Sequence, residues 1–565
     1  MWANDRVGLG HALFQTTRES SRECQPYTVD GNKFITADVR LDARDELASK
    51  LLNYGCKFSS DVLDCELVLY AYVCWGDTCL ENLFGDFTFA IWDDSRNHLF
   101  CARDRLGTRT LYFARFHNLL LFANSLQCIR ASVGSATELD DRAIADFLLF
   151  GTYTWLDKTI TPFKAIRKVP PAHTLTWDGR HSTTKRYWSF PLHTPLLRYR
   201  REQDYQEHFR YLLWKATSDR MRTDRVLIMM SGGLDSASIA AAASQISHAN
   251  GNTFELLAFT SVFDSVHPDQ ERDFANLTAT RLGVPIHFFV CDGYSLLRPL
   301  ETGSDLTEDY TPSLTLEMRR QLSSLGRVRL TGCSADNLFC PSPITSSIAD
   351  RNFLSMTCEF GRHVRRYRRM PAIGTGLLMK WRRWRAKRDS CYPCWLNLDF
   401  ETRLGLKDRW HAAQTWRPLE SHARHPEIHR WLTYPDWSVE TDYWPEMKLV
   451  PSEAYDPYLD IRVIDFVLSL PSLPWLVNKY LLRCAMREYL PEEITRRPKT
   501  PLGPVHDSLL RQPGTGWVDY WEPLPELHHY VDRNKIPALR GESHNPNQSY
   551  VNLRPLLLNS WLKSL

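Results

Sequence analysis

Residues 231–236 (SGGLDS) constrain the fold of this 565-residue chain more than any other segment. They directly follow an apolar run, residues 226–230 (VLIMM), that is typical of a buried strand, and they lead into a helical pattern over residues 236–247. A strand that delivers two glycines into a helix N-terminus exposes backbone N–H groups and the positive end of the helix dipole. An ordinary serine-capped turn fits this setting less well, so the sequence predicts a phosphate-binding loop.

The acidic residue in this loop, Asp235, indicates which ligand the loop takes. A carboxylate repels phosphate, and a carboxylate beside phosphates usually holds Mg²⁺ instead. The loop also differs from the GxxxxGK[ST] loop of kinases and GTPases. We therefore expect the loop to bind a phosphate group together with Mg²⁺.

Patterns on either side of residue 190 predict two domains. Residues 1–190 alternate short β-branched runs with helical stretches, which is typical of an α+β layered domain. A Pro-bearing stretch, residues 189–198, is the predicted linker. Over residues 200–565 strands alternate with helices and the last part is mainly helical, which indicates an α/β fold with a doubly wound parallel sheet. The predicted strands are 33–41, 87–92, 98–102, 119–123, 225–230, 254–262, 286–290 and 327–331.

Six further segments follow the phosphate loop region in a fixed order. They are 259–262 (FTSV), 271–275 (ERDFA), 330–337 (LTGCSADN), 452–460 (SEAYDPYLD), 479–483 (KYLLR) and 497–499 (RPK). Together with the loop they resemble the synthetase domain of the asparagine synthetase family, in the ATP pyrophosphatase superfamily. The resemblance implies an ATP-dependent ligase that activates a carboxylate as its adenylate and lets an amine attack it.

The resemblance also implies roles for individual residues. Asp235 and Asp336 would hold Mg²⁺ on the leaving pyrophosphate, although either one alone is more often a loop aspartate. Lys499 would stabilise the negative charge that develops at the reacting centre. Glu453 would support the site rather than act as a base. The residues expected to bind ATP are Ser231, Gly232, Gly233, Asp235, Ser236, Thr260, Thr331 and Gly332.

The first domain resembles the glutamine-hydrolysing domain of the same family, through residues 85–93 (GDFTFAIWD) and 102–109 (ARDRLGTR). The resemblance implies layered sheets of the Ntn-hydrolase type. Active members carry a cysteine as residue 2, whereas Trp2 stands here, and the opening of this sequence resembles an internal segment of the domain. Residues 36–40 (TADVR) also depart from the NGE segment that helps to bind glutamine. We expect an inactive, scaffolding domain and an amine that does not come from glutamine.

Residues 330–337 (LTGCSADN), which we call the second loop, depart from asparagine synthetases as well. Cys333 and Asn337 stand where that family carries acidic residues, which puts aspartate as the substrate in doubt. Residues 37–42 (ADVRLD) and 335–340 (ADNLFC) are instead similar to the lasso-peptide macrolactam synthetases, or lasso cyclases. The resemblance implies that an Asp or Glu side chain of a ribosomal precursor peptide is adenylated and that the peptide's N-terminal amine displaces AMP. The general base remains unassigned.

Several alternatives stay open at this point. Among enzymes they are an ammonia-dependent asparagine synthetase and a β-lactam synthetase. In another class the alternative is a non-catalytic scaffold that binds ATP, which is disfavoured because Asp235, Asp336 and Lys499 are all present. If the lasso cyclase resemblance holds, the partners are the precursor peptide, a leader peptidase and a leader-binding protein of the same pathway.

Composition limits the remaining classes. The net charge of +3 favours neither nucleic acid nor a membrane surface, and no apolar run approaches the length of a membrane span. With no signal peptide and 14 scattered cysteines, we expect a cytoplasmic protein with reduced thiols. Residues 362–388 hold eleven Lys or Arg residues and no acidic residue. A solvated face is the ordinary explanation of such a run, and a docking surface for a peptide or partner protein is the alternative.

Overall fold

The structure is a computed structural model that describes most of the chain. The described residues are 1–133, 138–154, 156–251, 253–267, 269–294, 296, 306–339, 361, 364–365, 392–415, 420–433, 450, 452–498, 505–540 and 546–565. Lys499 lies outside the described residues, and of the basic stretch 362–388 only residues 364 and 365 are described.

The strands described in the first region form antiparallel sheets. A six-stranded sheet has the order β11-β10-β6-β5-β4-β3, a three-stranded sheet has the order β8-β7-β9, and β1 pairs with β2. The strands are β1 (Trp2–Ala3), β2 (Gly8–Leu9), β3 (Tyr27–Thr28), β4 (Lys33–Leu41), β5 (Gly85–Asp93), β6 (His98–Arg103), β7 (Tyr112–Phe116), β8 (Leu119–Ala123), β9 (Ile166–Lys168), β10 (His173–Trp177) and β11 (Ser182–Arg186).

Helices cover one face of the six-stranded sheet. They are α1 (Arg44–Asn53) and α2 (Asp64–Trp75), which bury residues such as Leu67 against Ile35 and Phe89 of the sheet. The opposite face packs around Leu9, Trp92 and Leu175. Two more helices, α3 (Leu126–Val133) and α4 (Asp141–Phe150), follow β8. The predicted α+β layered domain is confirmed.

The second region contains a five-stranded parallel sheet in the order β14-β13-β12-β15-β16. The strands are β12 (Arg225–Met229), β13 (Glu255–Val262), β14 (Ile286–Val290), β15 (Val328–Leu330) and β16 (Glu453–Tyr455). The chain order reverses between β12 and β15, which pair in register as Ile228 with Leu330. In open α/β sheets, ligands bind at the carboxyl ends of the strands at such a switch point. The predicted doubly wound sheet is confirmed, and its switch point lies at the predicted phosphate loop.

Helices cover this sheet and make up the C-terminal part. They are α5 (Glu202–Asp219), α6 (Leu234–Ala249), α7 (Glu271–Leu282), α8 (Pro312–Leu325), α9 (Ala335–Phe339), α10 (Leu398–Leu404), α11 (Leu406–Thr415), α12 (Pro426–Thr433), α13 (Ile461–Ser469), α14 (Tyr480–Met486), α15 (Glu492–Arg496), α16 (Val505–Leu510) and α17 (Pro546–Lys563). No helix in the described part of the chain combines the length and apolarity needed to cross a membrane.

The two regions share an apolar core. One buried cluster joins α4, β7 and β9 of the first region to α10, α11 and α17 of the second. At its edge, Arg554 of α17 donates hydrogen bonds to the carbonyl oxygens of Leu148 and Leu149, at distances of 3.2 and 2.7 Å, and pairs with Glu308 at 2.8 Å. Gly151, at φ +82°, ends α4, and an added Cβ there would lie only 2.0 Å from Oε2 of Glu308. The C-terminal helix therefore closes the end of α4.

A buried charge network crosses the same boundary. Arg220, directly after α5, contacts Asp42 at 3.0 Å and Asp460 at 2.9 Å, and Arg40 contacts Asp42 at 2.6 Å. Burial alone would raise the pKa of Asp42, but the charges of Arg220 and Arg40 outweigh it and hold that pKa below its ordinary value. The first region thus supplies a carboxylate, Asp42, that pairs with the buried Arg220 of the second region.

Candidate active site

The phosphate loop folds around the hydroxyl group of Ser236. The N–H of Ser231 donates to Oγ of Ser236 at 3.0 Å, and the two hydroxyl oxygens also lie 3.0 Å apart. The N–H of Gly233 donates to Oγ of Ser231 at 3.3 Å. Helix α6 begins at Leu234 without a side-chain cap, which leaves its positive end directed at the loop. The predicted loop geometry is present at the carboxyl end of β12.

Gly232 lies in a crowded position between α7 and Arg497. Its N–H donates to Glu271 at 2.6 Å, and its carbonyl oxygen accepts from Arg497 at 2.6 Å. The Arg497 guanidinium lies 3.9 Å from the ring centroid of Phe274. A Cβ at Gly232 would lie 2.6 Å from both Arg497 and Phe274, so only glycine fits. Arg497 places the RPK segment beside the loop, whereas the role of Lys499 stays a prediction.

The second loop touches the first. A Cβ at Gly332 would lie 3.0 Å from the carbonyl carbon of Asp235 and from the nitrogen of Ser236. The second loop is held from the other side by the edge strand, because the N–H of Thr331 donates to Tyr455 at 2.9 Å. The N–H of Ser334 likewise donates to Asp456 at 2.9 Å. The two predicted loops therefore form one surface at the switch point.

Lys479 lies between the two acids that were predicted to hold Mg²⁺. Its ammonium group is 2.6 Å from Oδ1 of Asp336 and also forms an ion pair with Asp235. Burial lowers the pKa of Lys479, but the two carboxylates outweigh that effect and raise it. Lys479 and Asn478 both have positive φ angles, of 58° and 52°, in a sharp turn before α14. Sequence analysis placed Lys479 in the KYLLR segment but gave it no role.

The donor set at this position suits magnesium bound together with a substrate phosphate. Asp235 and Asp336 contact the same ammonium nitrogen, so their carboxylates face one small volume. No group of three or more His, Cys, Asp or Glu side chains able to hold a metal occurs among the residues that the structure describes. Mg²⁺ ordinarily takes one or two carboxylates and completes its shell with phosphate oxygens and water. The two aspartates fit that requirement, and the magnesium site stays a prediction.

Two predicted residues lie away from the loops. The hydroxyl of Thr260 is buried and donates to the carbonyl oxygen of Met230 at 2.6 Å, so this side chain supports the start of the loop, and ATP binding by Thr260 stays a prediction. Glu453 begins the edge strand β16 and pairs with Arg109 of the first domain at 2.6 Å. The support of the site that we predicted for Glu453 would therefore involve the first domain. Neither the sequence around Glu453 nor the sequence around Arg109 indicates this contact.

A cavity of about 750 Å³ separates the two domains in front of Glu453. The first domain contributes His11, Asp38 and Arg109 to its wall, and the second contributes Arg319 and Glu453. Burial lowers the pKa of His11. Burial, together with the charge of a neighbouring arginine, lowers the pKa of Arg319 to about 8. The cavity wall therefore carries charged groups of both signs.

Comparisons with known protein families give a separate match for each of the two regions of this chain. Residues 1–188 match the model of a glutamine amidotransferase domain, and residues 208–563 match that of asparagine synthase. The chain is 24% identical to asparagine synthetase [glutamine-hydrolyzing] 3 of Bacillus subtilis (strain 168), over 95% of this chain and 87% of that protein. It is 28% identical to amidase chyE of Penicillium rubens, over 59% of this chain and 51% of that protein.

A third relative, amidase chry2 of Gibberella zeae, is 30% identical over 55% of this chain and 47% of its own length. This chain thus spans about half the length of the two fungal amidases and most of the bacterial synthetase. The family model for asparagine synthase alone covers more than half of the 565 residues. The chain therefore belongs to the asparagine synthetase family of ATP-dependent carbon–nitrogen ligases.

Proposed function

We propose that this chain closes a macrolactam ring in a ribosomal precursor peptide, as in lasso peptide biosynthesis. In this proposal the side-chain carboxylate of an Asp or Glu in the peptide attacks the α-phosphate of ATP and releases pyrophosphate. The peptide's own N-terminal amine then attacks the acyl adenylate, forms the amide bond and releases AMP. A leader peptidase and a leader-binding protein would prepare the peptide, and the reaction would take place in the cytoplasm.

The observation that carries this proposal is the ion pairing across the interdomain cavity. Asp38 lies in the segment that departs from the glutamine-binding NGE sequence, and it pairs with Arg109 at 3.5 Å. Arg109 in turn pairs with Glu453. The side chains of Asp38, Arg109 and Glu453 thus form ion pairs with one another and are not free to bind the charged groups of an amino acid. A cavity of about 750 Å³ is also in the size range of sites for ligands larger than one amino acid.

The phosphate loop supports the adenylation step. The backbone N–H groups at the start of α6 and the helix dipole favour the triphosphate. Lys479 supplies a positive charge between Asp235 and Asp336, where pyrophosphate charge would accumulate. Bound at the two aspartates, Mg²⁺ would neutralise charge on the leaving group. These residues stabilise the leaving group and do not select the acyl substrate.

The second candidate is the amidation of free aspartate. It is favoured by the near full-length similarity to asparagine synthetase 3 of Bacillus subtilis. Against it stand Cys333 and Asn337, which replace acidic residues of the family's second loop. In this case the ammonia-dependent reaction would yield asparagine and no cyclic product.

The test separates the two candidates by their products. Purified protein is incubated with MgATP and candidate precursor peptides, or with aspartate and either ammonia or glutamine, and the products are identified by mass spectrometry. Cyclisation predicts that a peptide loses the mass of one water while AMP and pyrophosphate accumulate. Asparagine formation without any cyclic peptide would reject the proposal.

Variants of the metal residues connect the product to this site. Asp235→Asn and Asp336→Asn are each expected to abolish ATP-dependent product formation without unfolding the protein. Asp273→Asn is the matched control, because Asp273 is exposed on α7. Normal turnover in either site variant would remove the magnesium assignment. Loss of turnover in the control would show that the effect is not specific to the site.

A further inference from the structure

Arg109 reaches from the first domain into the segment that carries Glu453. Its Nη1 atom lies 2.6 Å from Oε2 of Glu453, and its Nε atom lies 3.5 Å from Oδ1 of Asp38. The side chain of Arg109 is only 14% exposed. Because β16 is the edge strand of the synthetase sheet, this pair links the two domains at the wall of the cavity.

A tight turn holds Arg109 in place. The buried carboxylate of Asp104 accepts hydrogen bonds from the N–H groups of Leu106, Gly107, Thr108 and Arg109, at 2.7–3.1 Å. Gly107 has a φ of +72°, and a Cβ there would lie 2.6 Å from a proline ring. Four donors on one carboxylate fix the backbone of the turn, so the guanidinium extends from a rigid base.

Two further arginines act on the charge of Glu453. Arg319 and Arg329 are 4% and 5% exposed, and both interact electrostatically with Glu453. Arg329 donates to Oγ of Ser452 at 2.8 Å. Burial lowers the pKa of Arg329 to about 10, which reflects the cost of keeping its charge away from water. The Glu453 carboxylate is therefore attracted by these two buried arginines as well as by Arg109, which holds it from the side of the first domain.

The position of Glu453 along its strand separates it from the phosphate loop. Glu453 pairs with Val328, at the amino end of β15, whereas the loops lie at the carboxyl ends of β12 and β15. Its carboxylate lines the cavity. A displacement of this carboxylate should therefore affect the acyl or amine substrate more than it affects ATP.

We propose that Arg109 is a positioning residue by which the first domain holds the Glu453 carboxylate towards the interdomain cavity for the amide-forming step. The identity of the substrate in this inference rests on the proposed function, whereas the contact between Arg109 and Glu453 does not. It assigns the first domain a part in the synthetase reaction that does not depend on glutamine hydrolysis. Without Arg109, the Glu453 carboxylate loses the partner that holds it towards the first domain and shifts towards Arg319 and Arg329.

The test compares Arg109→Ala and Arg109→Lys with the wild-type protein. We expect Arg109→Ala to lower kcat for amide formation by roughly 10- to 100-fold, since displacements of about 1 Å have effects of this size. The KM for ATP and the melting temperature should stay unchanged. Arg109→Lys should restore part of kcat, because lysine keeps the charge but not the planar fork. The control is Arg96→Ala, which removes an arginine side chain that is 63% exposed and that pairs with Asp93 at 3.7 Å in a turn of the same domain.

A double variant tests whether Arg109 acts through Glu453. If it does, adding Arg109→Ala to Glu453→Gln lowers kcat little further, whereas additive losses would overturn the inference. Unchanged kcat in Arg109→Ala would overturn it, and so would parallel losses of kcat, ATP affinity and melting temperature, which indicate a purely structural role. The comparison uses whichever amide-forming reaction the wild-type chain catalyses. Failure of peptide cyclisation alone would therefore reject the proposed function without deciding the role of Arg109.

Discussion

The contact between the two loops predicts a large effect for the smallest possible substitution, Gly332→Ala. The added Cβ would lie 3.0 Å from the carbonyl carbon of Asp235 and from the nitrogen of Ser236, and 3.1 Å from the carbonyl oxygen of Asp235. Comfortable contacts between such atoms begin at about 3.5 Å, so the loops must separate by roughly 0.5 Å or more. All three contacts are to backbone atoms, which cannot rotate away as a side chain can.

Two consequences of Gly332→Ala can be given magnitudes. Overpacking of this kind costs about 1–3 kcal/mol of folding free energy. The separation also displaces Asp235 relative to Asp336, and misplacement on this scale lowers turnover by roughly 10- to 100-fold. We therefore expect a turnover loss that exceeds any loss attributable to unfolding at the assay temperature.

The assay measures ATP-dependent pyrophosphate release beside urea unfolding for Gly332→Ala and for a control, Gly293→Ala. Gly293 has no atom within 4 Å of its added Cβ and no positive φ, so the control should behave as wild type. Wild-type turnover and stability in Gly332→Ala would refute the close approach of the loops. Equal losses in both variants would refute the steric explanation.

Three further predictions concern single residues. Asp42→Asn leaves Arg40 and Arg220 without their shared carboxylate and should lower the unfolding free energy by about 3–5 kcal/mol in urea; a loss below 1 kcal/mol would contradict the network. Burial lowers the pKa of His425 to about 3, whereas the pKa of a histidine in the unfolded chain is about 6.5. As the pH falls below about 6.5, His425 therefore becomes protonated in the unfolded chain but not in the folded chain. His425 should thus remove roughly 2 kcal/mol of stability between pH 7.5 and pH 5; His425→Gln should unfold with a shallower pH dependence, and an equal dependence would contradict this. Lys499→Ala should lower turnover by roughly 100-fold with ATP binding retained in calorimetry, and unchanged turnover would make Lys499 a surface residue.

Local sequence patterns predicted those strands whose own residues show a clear strand pattern. The predicted strands 33–41, 119–123 and 286–290 have the bounds of β4, β8 and β14. These runs are long enough for β-branched and apolar residues to mark a strand without help from distant residues. The phosphate loop was predictable for the same reason, since strand, glycines and helix are adjacent in sequence.

The parts of the site that sequence reasoning missed depend on pairs far apart in the chain. Strand β16 has only three residues and exists because it pairs with β15, more than a hundred residues earlier. The contact of Lys479 with Asp235 spans 244 positions, and that of Arg109 with Glu453 spans 344. No periodicity reports such a contact, because Lys479 and Arg109 look like ordinary surface charges in their own segments. Nothing in the sequence indicated that the hydroxyl of Thr260, a residue predicted to bind ATP, donates to the carbonyl oxygen of Met230.

The closure of α4 by Arg554 limits how this protein can change by recombination. A fragment that began after the linker would keep α17 but lose the helix end and apolar side chains on which α17 packs. Such a fragment would expose residues such as Trp561 and aggregate rather than work as a stand-alone ligase. The first domain is therefore needed to keep the apolar face of α17 buried, whether or not that domain hydrolyses glutamine. Chimeras of this protein should accordingly exchange residues 1–190 and 200–565 together.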